Sequence, residues 1–146
     1  MINTLLGLII TEACGPGYIT LEVNGIGYQV FVVDRTDISV NLTEPAGTRR
    51  RFFIHENIVA AQQGPSKYDL YGFETQVERN FFRALLRNCD KVGPSAAMKC
   101  MNVAPPEQLL QAIRMGNVKY LERGLGEKTA QNVILGMGKY AVTVGR

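Results

Sequence analysis

Histidine and cysteine are scarce in this chain of 146 residues. There is one histidine, His55, and there are three cysteines, Cys14, Cys89 and Cys100. An odd number of cysteines with no close-spaced pair supports neither a disulfide framework nor a zinc site. A single histidine cannot by itself anchor a metal cluster or a catalytic triad. We therefore expect no metal and no cofactor.

Long hydrophobic runs are also missing. No run approaches the 18 or so apolar residues that a membrane-spanning helix needs. Met1 leads directly into a strand-like segment, without the basic region and cleavage site of a signal peptide. The hydrophobic content of 46% is ordinary for a globular protein, and the length suits one domain or two small ones. We expect a cytoplasmic protein with no membrane partner.

The net charge of +3 is unevenly distributed. Residues 1–72 carry five basic and seven acidic side chains, whereas residues 73–146 carry eleven basic and six acidic ones. The second half therefore has a net charge of +5 and the first half −2. This excess suits a polyanionic partner, although a solvated helical surface produces the same pattern.

Residues 1–72 have the pattern of short strands. Apolar residues alternate on both sides of Asn24-Gly25, which is the strongest short signal for a β-hairpin. The glycines at 25 and 27 belong to that turn and not to a nucleotide-binding loop, because no helix follows them. Further strands are expected at residues 4–11, 29–33, 50–55 and 69–73, with a turn at residues 45–47. Such a series predicts a small β-barrel of the OB type over residues 1–72.

Residues 73–146 have helical periodicity. Thr75 and Glu78 have the spacing of a capping box, and Val77, Phe81, Leu85 and Leu86 predict the apolar face of the helix that follows. Arg79, Arg83 and Arg87 form a stripe on the other side, which is either a solvated face or an edge that contacts phosphates. Helix starts are expected at Pro94 and at Pro105-Pro106, with Gly116-Asn117 separating residues 107–115 from a short helix at 118–122. With the helix after Gly126, five helices are predicted.

Two glycine-containing segments stand 33 residues apart. Residues 123–130 (RGLGEKTA) predict a tight hairpin, with positive φ at its glycines, leading into a helix whose first turn holds Lys128 and Thr129. Residues 91–97 (KVGPSAA) repeat the layout, with an alanine four residues after the glycine. Unpaired N–H groups at a helix start favour an anion, here a phosphate. A Gly-x-Gly turn also serves as a plain connection between packed helices.

These segments in this order resemble the RuvA family, the Holliday-junction-binding subunits of the bacterial branch-migration machine. The similarity rests on residues 23–30 (VNGIGYQV), 70–73 (LYGF), 92–94 (VGP) and 124–130 (GLGEKTA). It implies an OB barrel in residues 1–72, a domain with two helix-hairpin-helix motifs in residues 73–146, and a homotetramer that holds four DNA arms. The DNA-binding residues that follow are Lys91, Gly93, Ser95, Lys99, Arg123, Gly124, Gly126, Lys128 and Thr129.

The chain departs from this family at several places. Lys91 replaces a glycine of the first hairpin, Arg123 replaces a proline of the second, and Glu122 replaces an apolar residue. The acidic tip that precedes Leu-Tyr-Gly-Phe in the family is absent from residues 60–68 (AAQQGPSKY). The family's third domain, which contacts the RuvB motor, is expected to be missing after the soft stretch at residues 136–138. Contact with such a motor is therefore in doubt.

Three functions follow from these observations. The leading one is non-enzymatic binding of branched DNA through hairpin amides, without reading base sequence. A nuclease or glycosylase on the same scaffold would need a carboxylate cluster or a placed nucleophile, and none stands out in the sequence. The third is a diverged scaffold that keeps the fold with weak or altered DNA binding.

Overall fold

The computed structural model describes residues 1–34, 48–59, 63–64 and 67–144, with the backbone alone at 59, 67 and 141–144. The chain divides into two compact units, Met1–Arg79 and Asn80–Arg146. The turn expected at residues 45–47 lies outside the described residues, as does most of the loop at 60–68.

The first unit is a closed five-stranded barrel. Its strands are β1 (Thr4–Ile9), β2 (Tyr18–Val23), β3 (Ile26–Phe31), β4 (Arg50–Val59) and β5 (Lys67–Phe73). They follow the order β1-β2-β3-β5-β4, and β4 pairs with β1 to close the barrel. Neighbouring strands are antiparallel except β3 and β5, which run parallel where Phe31 faces Tyr71. The predicted OB-like barrel is confirmed.

Alternating side chains of the strands fill the barrel. Ile19, Leu21, Val30, Phe52 and Ile54 are fully buried. On β2 and β4 the buried residues are two apart, Ile19 and Leu21 on one strand and Phe52 and Ile54 on the other, so they point to the same side of the sheet. Several strand ends differ from the prediction. β1 stops at Ile9 because residues 11–13 form a 3-10 turn, and β3 starts at Ile26 and stops at Phe31. The last two strands are longer than predicted, since β4 continues to Val59 and β5 begins at Lys67.

The hairpin between β2 and β3 turns at Asn24 and Gly25, as predicted. Both residues have positive φ, 53° and 82°, which is the combination of a type I′ turn. Val23 and Ile26 face each other directly across this turn, so the connection has two residues. The turn thereby sets the register of the whole β2–β3 pair.

Arg79 anchors the end of the first unit, contrary to the exposed stripe that the spacing of arginines predicts. Its side chain is 4% exposed and donates hydrogen bonds to the backbone and side-chain oxygens of Asn3. The guanidinium also lies 5.5 Å from the centre of the Phe53 ring. Burial with specific partners overrides the helical stripe, so Arg79 cannot belong to a phosphate-contacting edge.

Helices make up the second unit. The first, α1 (Gln76–Asn88), starts within the barrel unit, and it is followed by α2 (Pro94–Val103), α3 (Pro106–Arg114), α4 (Val118–Leu121) and α5 (Glu127–Val144). In the described part of the chain these are five α-helices, in the positions predicted from proline and glycine. None of the described helices combines the length and apolar character needed to cross a bilayer.

Thr75 and Glu78 are in contact at the start of α1, at the two positions of the predicted capping box. The Glu78 N–H donates to the Thr75 hydroxyl oxygen at 3.2 Å, and that hydroxyl donates to the Glu78 carboxylate at 3.1 Å. The predicted apolar face needs correction, since Val77 is 67% exposed and Leu86 is only partly buried. Phe81, Phe82, Ala84 and Leu85 form the buried face instead. The face is therefore rotated toward Phe82, because packing and not spacing alone selects it.

Helix α5 packs closely on the end of α1 at Gly136. A Cβ atom on Gly136 would overlap the Asn88 carbonyl oxygen and lie 2.8 Å from the Cys89 Cα. Met137 is fully buried beside it, and the helix continues to Val144. The stretch at 136–138, expected to be soft, is a regular part of this helix.

Candidate nucleic-acid interface

The two hairpins of the second unit share one backbone arrangement. We name residues 91–93 the first hairpin and residues 124–126 the second. In each, the carbonyl oxygen of the glycine accepts the N–H of an alanine four residues later at 2.9 Å, from Ala97 to Gly93 and from Ala130 to Gly126. Both alanines are completely buried. The 33-residue repeat therefore places a glycine directly before the first turn of α2 and of α5.

A buried apolar residue holds each hairpin in place. Val92 is 6% exposed and Leu125 is 7% exposed, and each precedes the glycine of its hairpin. Glycine offers no side chain to cap the helix start, and at Gly93 no side-chain cap bond is formed. The first-turn N–H groups can therefore bind an external acceptor.

The structure corrects two expectations about the second hairpin. Positive φ was expected at Gly124 and Gly126, but among the described glycines it occurs at Gly17, Gly25, Gly64 and Gly116. The N–H groups of Gly124 and Leu125 both bond to the Leu121 carbonyl at 3.1 Å, so neither can bind a phosphate. The amides left for an anion are those from Gly126 onward.

Gly124 is needed for close packing. A Cβ atom at this position would lie 2.8 Å from the Lys99 carbonyl oxygen and 2.8 Å from the Val103 Cγ2. The second hairpin therefore lies directly on α2, which brings Gly124 and Lys99 of the predicted site together. Gly93 and Gly126 have open space around them.

Lys91 of the first hairpin has left-handed backbone geometry, with φ of 59°. A non-glycine residue in this conformation costs about 1–2 kcal/mol. The hairpin therefore keeps the turn that a glycine would favour even though a lysine occupies the position. Its side chain is exposed.

Nearly all predicted DNA-binding residues lie on the surface. Thr129 is partly buried, and the following are exposed: Lys91, Gly93, Ser95, Lys99, Arg123, Gly124, Gly126 and Lys128. The Arg123 guanidinium lies over the Tyr120 ring at 4.6 Å, which limits its freedom. The side chain of Asn117 accepts the Tyr120 N–H at 3.2 Å and so fixes the start of α4, on which that ring stands.

The helix starts differ in charge. The first turn of α5 contains Glu127, whereas the first turn of α2 has Pro94 and no acidic residue. A carboxylate at this position stabilises the helix but repels a phosphate approaching the same amides. The first turn of α5 thus combines the cation Lys128 with the opposite charge of Glu127.

Sequence reasoning missed a cationic groove on the second unit. It has a volume of about 550 Å³ and is lined by Asn80, Arg83, Ala84, Arg87, Asn88, Lys139 and Tyr140. Helical spacing in the sequence indicates only Arg83 and Arg87. The position of Lys139 beside them depends on how α5 packs on α1, which the sequence does not show. Within the described residues, no group of three or more acidic, histidine or cysteine side chains is placed to hold a metal ion.

The cysteines of this unit lie in its interior. Burial raises the pKa of Cys89 to about 11 and that of Cys100 to about 12. Both thiols therefore stay protonated at neutral pH, and neither is a nucleophile there.

Comparison with known proteins identifies the first 64 residues. They match the model of the RuvA N-terminal domain. The chain is also 35% identical over 120 residues to the Holliday junction branch migration complex subunit RuvA of Brevibacillus brevis, an alignment that covers 81% of this chain and 54% of that relative.

Two further subunits of the same name align over more of the chain. That of Oenococcus oeni is 36% identical over 137 residues, covering 92% of this chain and 63% of the relative. That of Lactobacillus acidophilus is 36% identical over 141 residues, covering 94% and 66%. The chain thus spans between about half and two thirds of the length of the curated relatives it matches. With its barrel matched by the domain model and its helical unit by these alignments, the chain belongs to the RuvA family.

Proposed function

We propose that this protein binds branched DNA, with the four-way Holliday junction as its substrate, and acts without enzymatic activity of its own. The observation that carries the proposal is the repeated hairpin, in which the Gly93 and Gly126 carbonyls each accept an alanine N–H at 2.9 Å directly before a helix, at a position where glycine offers no capping side chain. The relatives named as Holliday junction branch migration subunits support the same substrate.

In this proposal the second unit contains two helix-hairpin-helix motifs. The first consists of α1, residues 91–93 and α2, and the second of α4, residues 124–126 and α5. First-turn amides bind phosphate oxygens, and Lys128 adds a cation beside them. Because phosphates carry no base identity, binding is independent of sequence. A homotetramer acting in the cytoplasm, with one subunit for each arm of the junction, completes the proposal.

A second candidate function is a RuvA-like scaffold with weakened DNA binding. Two observations favour it, namely the internal use of the Gly124 and Leu125 amides and the carboxylate of Glu127 at the start of α5. Both reduce what the second hairpin can offer to a phosphate. The affinity for junction DNA decides between the two candidates.

The test is fluorescence anisotropy with a labelled, immobile four-way junction and a linear duplex of the same arm sequence, at one salt concentration. The double variant G126V/K128E should bind the junction at least tenfold more weakly, a loss of about 1.4 kcal/mol. Gly126 has open space and no positive φ, so circular dichroism should report an intact fold.

The matched control is K119E, which reverses an exposed lysine on α4 outside both hairpins. Its affinity should stay within about twofold of wild type at moderate salt, where distant surface charges are screened. Equal affinities of wild type and G126V/K128E would reject the assignment to the second hairpin. Failure of the wild type to bind either DNA would leave the scaffold function.

A further inference from the structure

The groove between α1 and the end of α5 has the chemistry of an anion site. Two helices supply its three cations, Arg83 and Arg87 from α1 and Lys139 from α5. The two asparagines and the tyrosine of its lining add amide and hydroxyl donors. None of the described lining residues has a carboxylate. We name this surface the basic groove.

Packing of α5 against α1 fixes the positions of the two helices that form the sides of the basic groove. Arg83 and Arg87 lie four residues apart and therefore on the same face of α1, one turn from each other. Gly136 stands three residues before Lys139, and at Gly136 α5 lies in close contact with the Asn88 carbonyl at the end of α1. The Tyr140 ring meets the Phe81 ring edge-on, with centroids 6.2 Å apart. Lys139 and Tyr140 are thus held opposite the arginines by contacts between buried or partly buried groups.

The hydroxyl of Tyr140 remains a hydrogen-bond donor at neutral pH. Partial burial raises the pKa of Tyr140 above its ordinary value, so the group stays neutral. Arginine guanidinium groups bind phosphate oxygens through paired N–H donors, and lysine adds a mobile point charge. This set of donors is matched to the oxygens of a phosphodiester backbone.

We propose that the basic groove is a further DNA-backbone contact, which extends the path of the strand from the first hairpin along α1. The proposal rests on the proposed function. Asn88 lines the groove, is the last residue of α1 and stands three residues before Lys91, so the groove and the first hairpin are adjacent along the chain. A duplex backbone presents phosphates in a continuous series, and adjacent cationic sites on one unit fit such a series.

The charges of the groove can be removed without touching the hairpins. In the variant R87Q/K139Q two exposed cations, one from each helix, become neutral. In the control variant R114Q/K119Q the same two residue types are neutralised at exposed positions on α3 and α4. The two variants have equal net charge, so their difference reports position alone. Thermal unfolding should show that both keep the wild-type melting temperature within a few degrees.

The readout is the dependence of junction affinity on salt concentration. The slope of log K against log salt is negative, and each lost phosphate contact reduces its magnitude by about 0.9. R87Q/K139Q should therefore reduce the magnitude of the slope by about 2. Its affinity at about 0.1 M salt should fall at least tenfold. The control should keep the slope of the wild type.

Three results would overturn the inference. The first is an unchanged slope and affinity for R87Q/K139Q while G126V/K128E loses binding, which leaves the proposed function intact. The second is unchanged junction binding by R87Q/K139Q together with a loss of binding to poly-glutamate, which assigns the groove to an acidic protein segment. The third is absence of junction binding by the wild-type protein, which removes the proposed function as well.

Discussion

The two hairpins of the second unit share one hydrogen bond, in which a buried alanine donates its N–H to a glycine carbonyl four residues earlier. They differ in the backbone conformation and packing of the residue two positions before that glycine. At the first hairpin it is Lys91, with a left-handed φ of 59°. At the second it is Gly124, which has no positive φ but packs on the Lys99 carbonyl. The left-handed position thus has a side chain, while the glycine stands where its lack of a side chain permits close packing.

The two helices that follow also differ. The first, α2, has ten residues and begins with Pro94, whereas α5 has eighteen and begins with Glu127. The second residue is Ser95 in α2 and Lys128 in α5, and the third is Ala96 in α2 and Thr129 in α5. The first hairpin therefore presents a neutral helix start and the second a pair of opposite charges. A repeat in the backbone is compatible with different electrostatic properties in its two copies.

The largest expected difference between the hairpins is in stability. G124A should lower the free energy of unfolding by about 1–3 kcal/mol, because the added methyl group would overlap backbone of α2 that cannot move aside. G126A is the matched control, and its loss should stay below about 1 kcal/mol because its surroundings are open. Urea unfolding followed by circular dichroism measures both. Equal losses would mean that the second hairpin does not pack on α2 as described.

Much of the fold could be predicted from local patterns. The type I′ hairpin at Asn24-Gly25 and the helix starts at Pro94 and Pro106 depend on backbone preferences of a few adjacent residues. Alternation of apolar residues likewise located the barrel strands to within a few positions. These features are local, and so the sequence contains them directly.

Features that depend on tertiary packing could not be predicted. The spacing of Arg79, Arg83 and Arg87 is that of one helical face, but Arg79 is buried on Asn3 and Phe53, which lie over 25 residues away in sequence. The Gly-x-Gly pattern predicts positive φ at Gly124, and nothing in the sequence shows that the glycine is instead needed for close packing on Lys99. Lys139 joins the basic groove only because α5 packs on α1. The role of each of these residues depends on which distant residue it contacts in the fold, and a single sequence does not specify that contact.

Exchanging Ser95 and Lys128 tests whether the hairpins differ in their contribution to DNA binding. K128S gives the second helix start the residue of the first, and S95K does the reverse. We expect K128S to weaken junction binding about fivefold, close to 1 kcal/mol, and S95K to strengthen it by a similar factor. Salt slopes should change by about 0.9 in opposite directions.

The double exchange S95K/K128S is the control for this prediction. It keeps the net charge of the protein and should return the salt slope to that of the wild type. If S95K leaves affinity unchanged, the first hairpin is not in contact with DNA. If K128S does so, the second hairpin has lost that contact and the scaffold function gains support.

The smallest expected effect concerns Glu127, the acid that distinguishes the second helix start. E127Q removes a charge that stabilises the helix dipole, so the free energy of unfolding should fall by about 0.3–1 kcal/mol. The same change removes repulsion of phosphate at the amides from Gly126 onward, so junction affinity should rise about two- to fivefold. E107Q is the matched control, since Glu107 is an exposed acid in the first turn of α3, outside both hairpins. It should lose similar stability without any gain in affinity. A gain by both variants would indicate a general effect of net charge, and a gain by neither would mean that no phosphate approaches the start of α5.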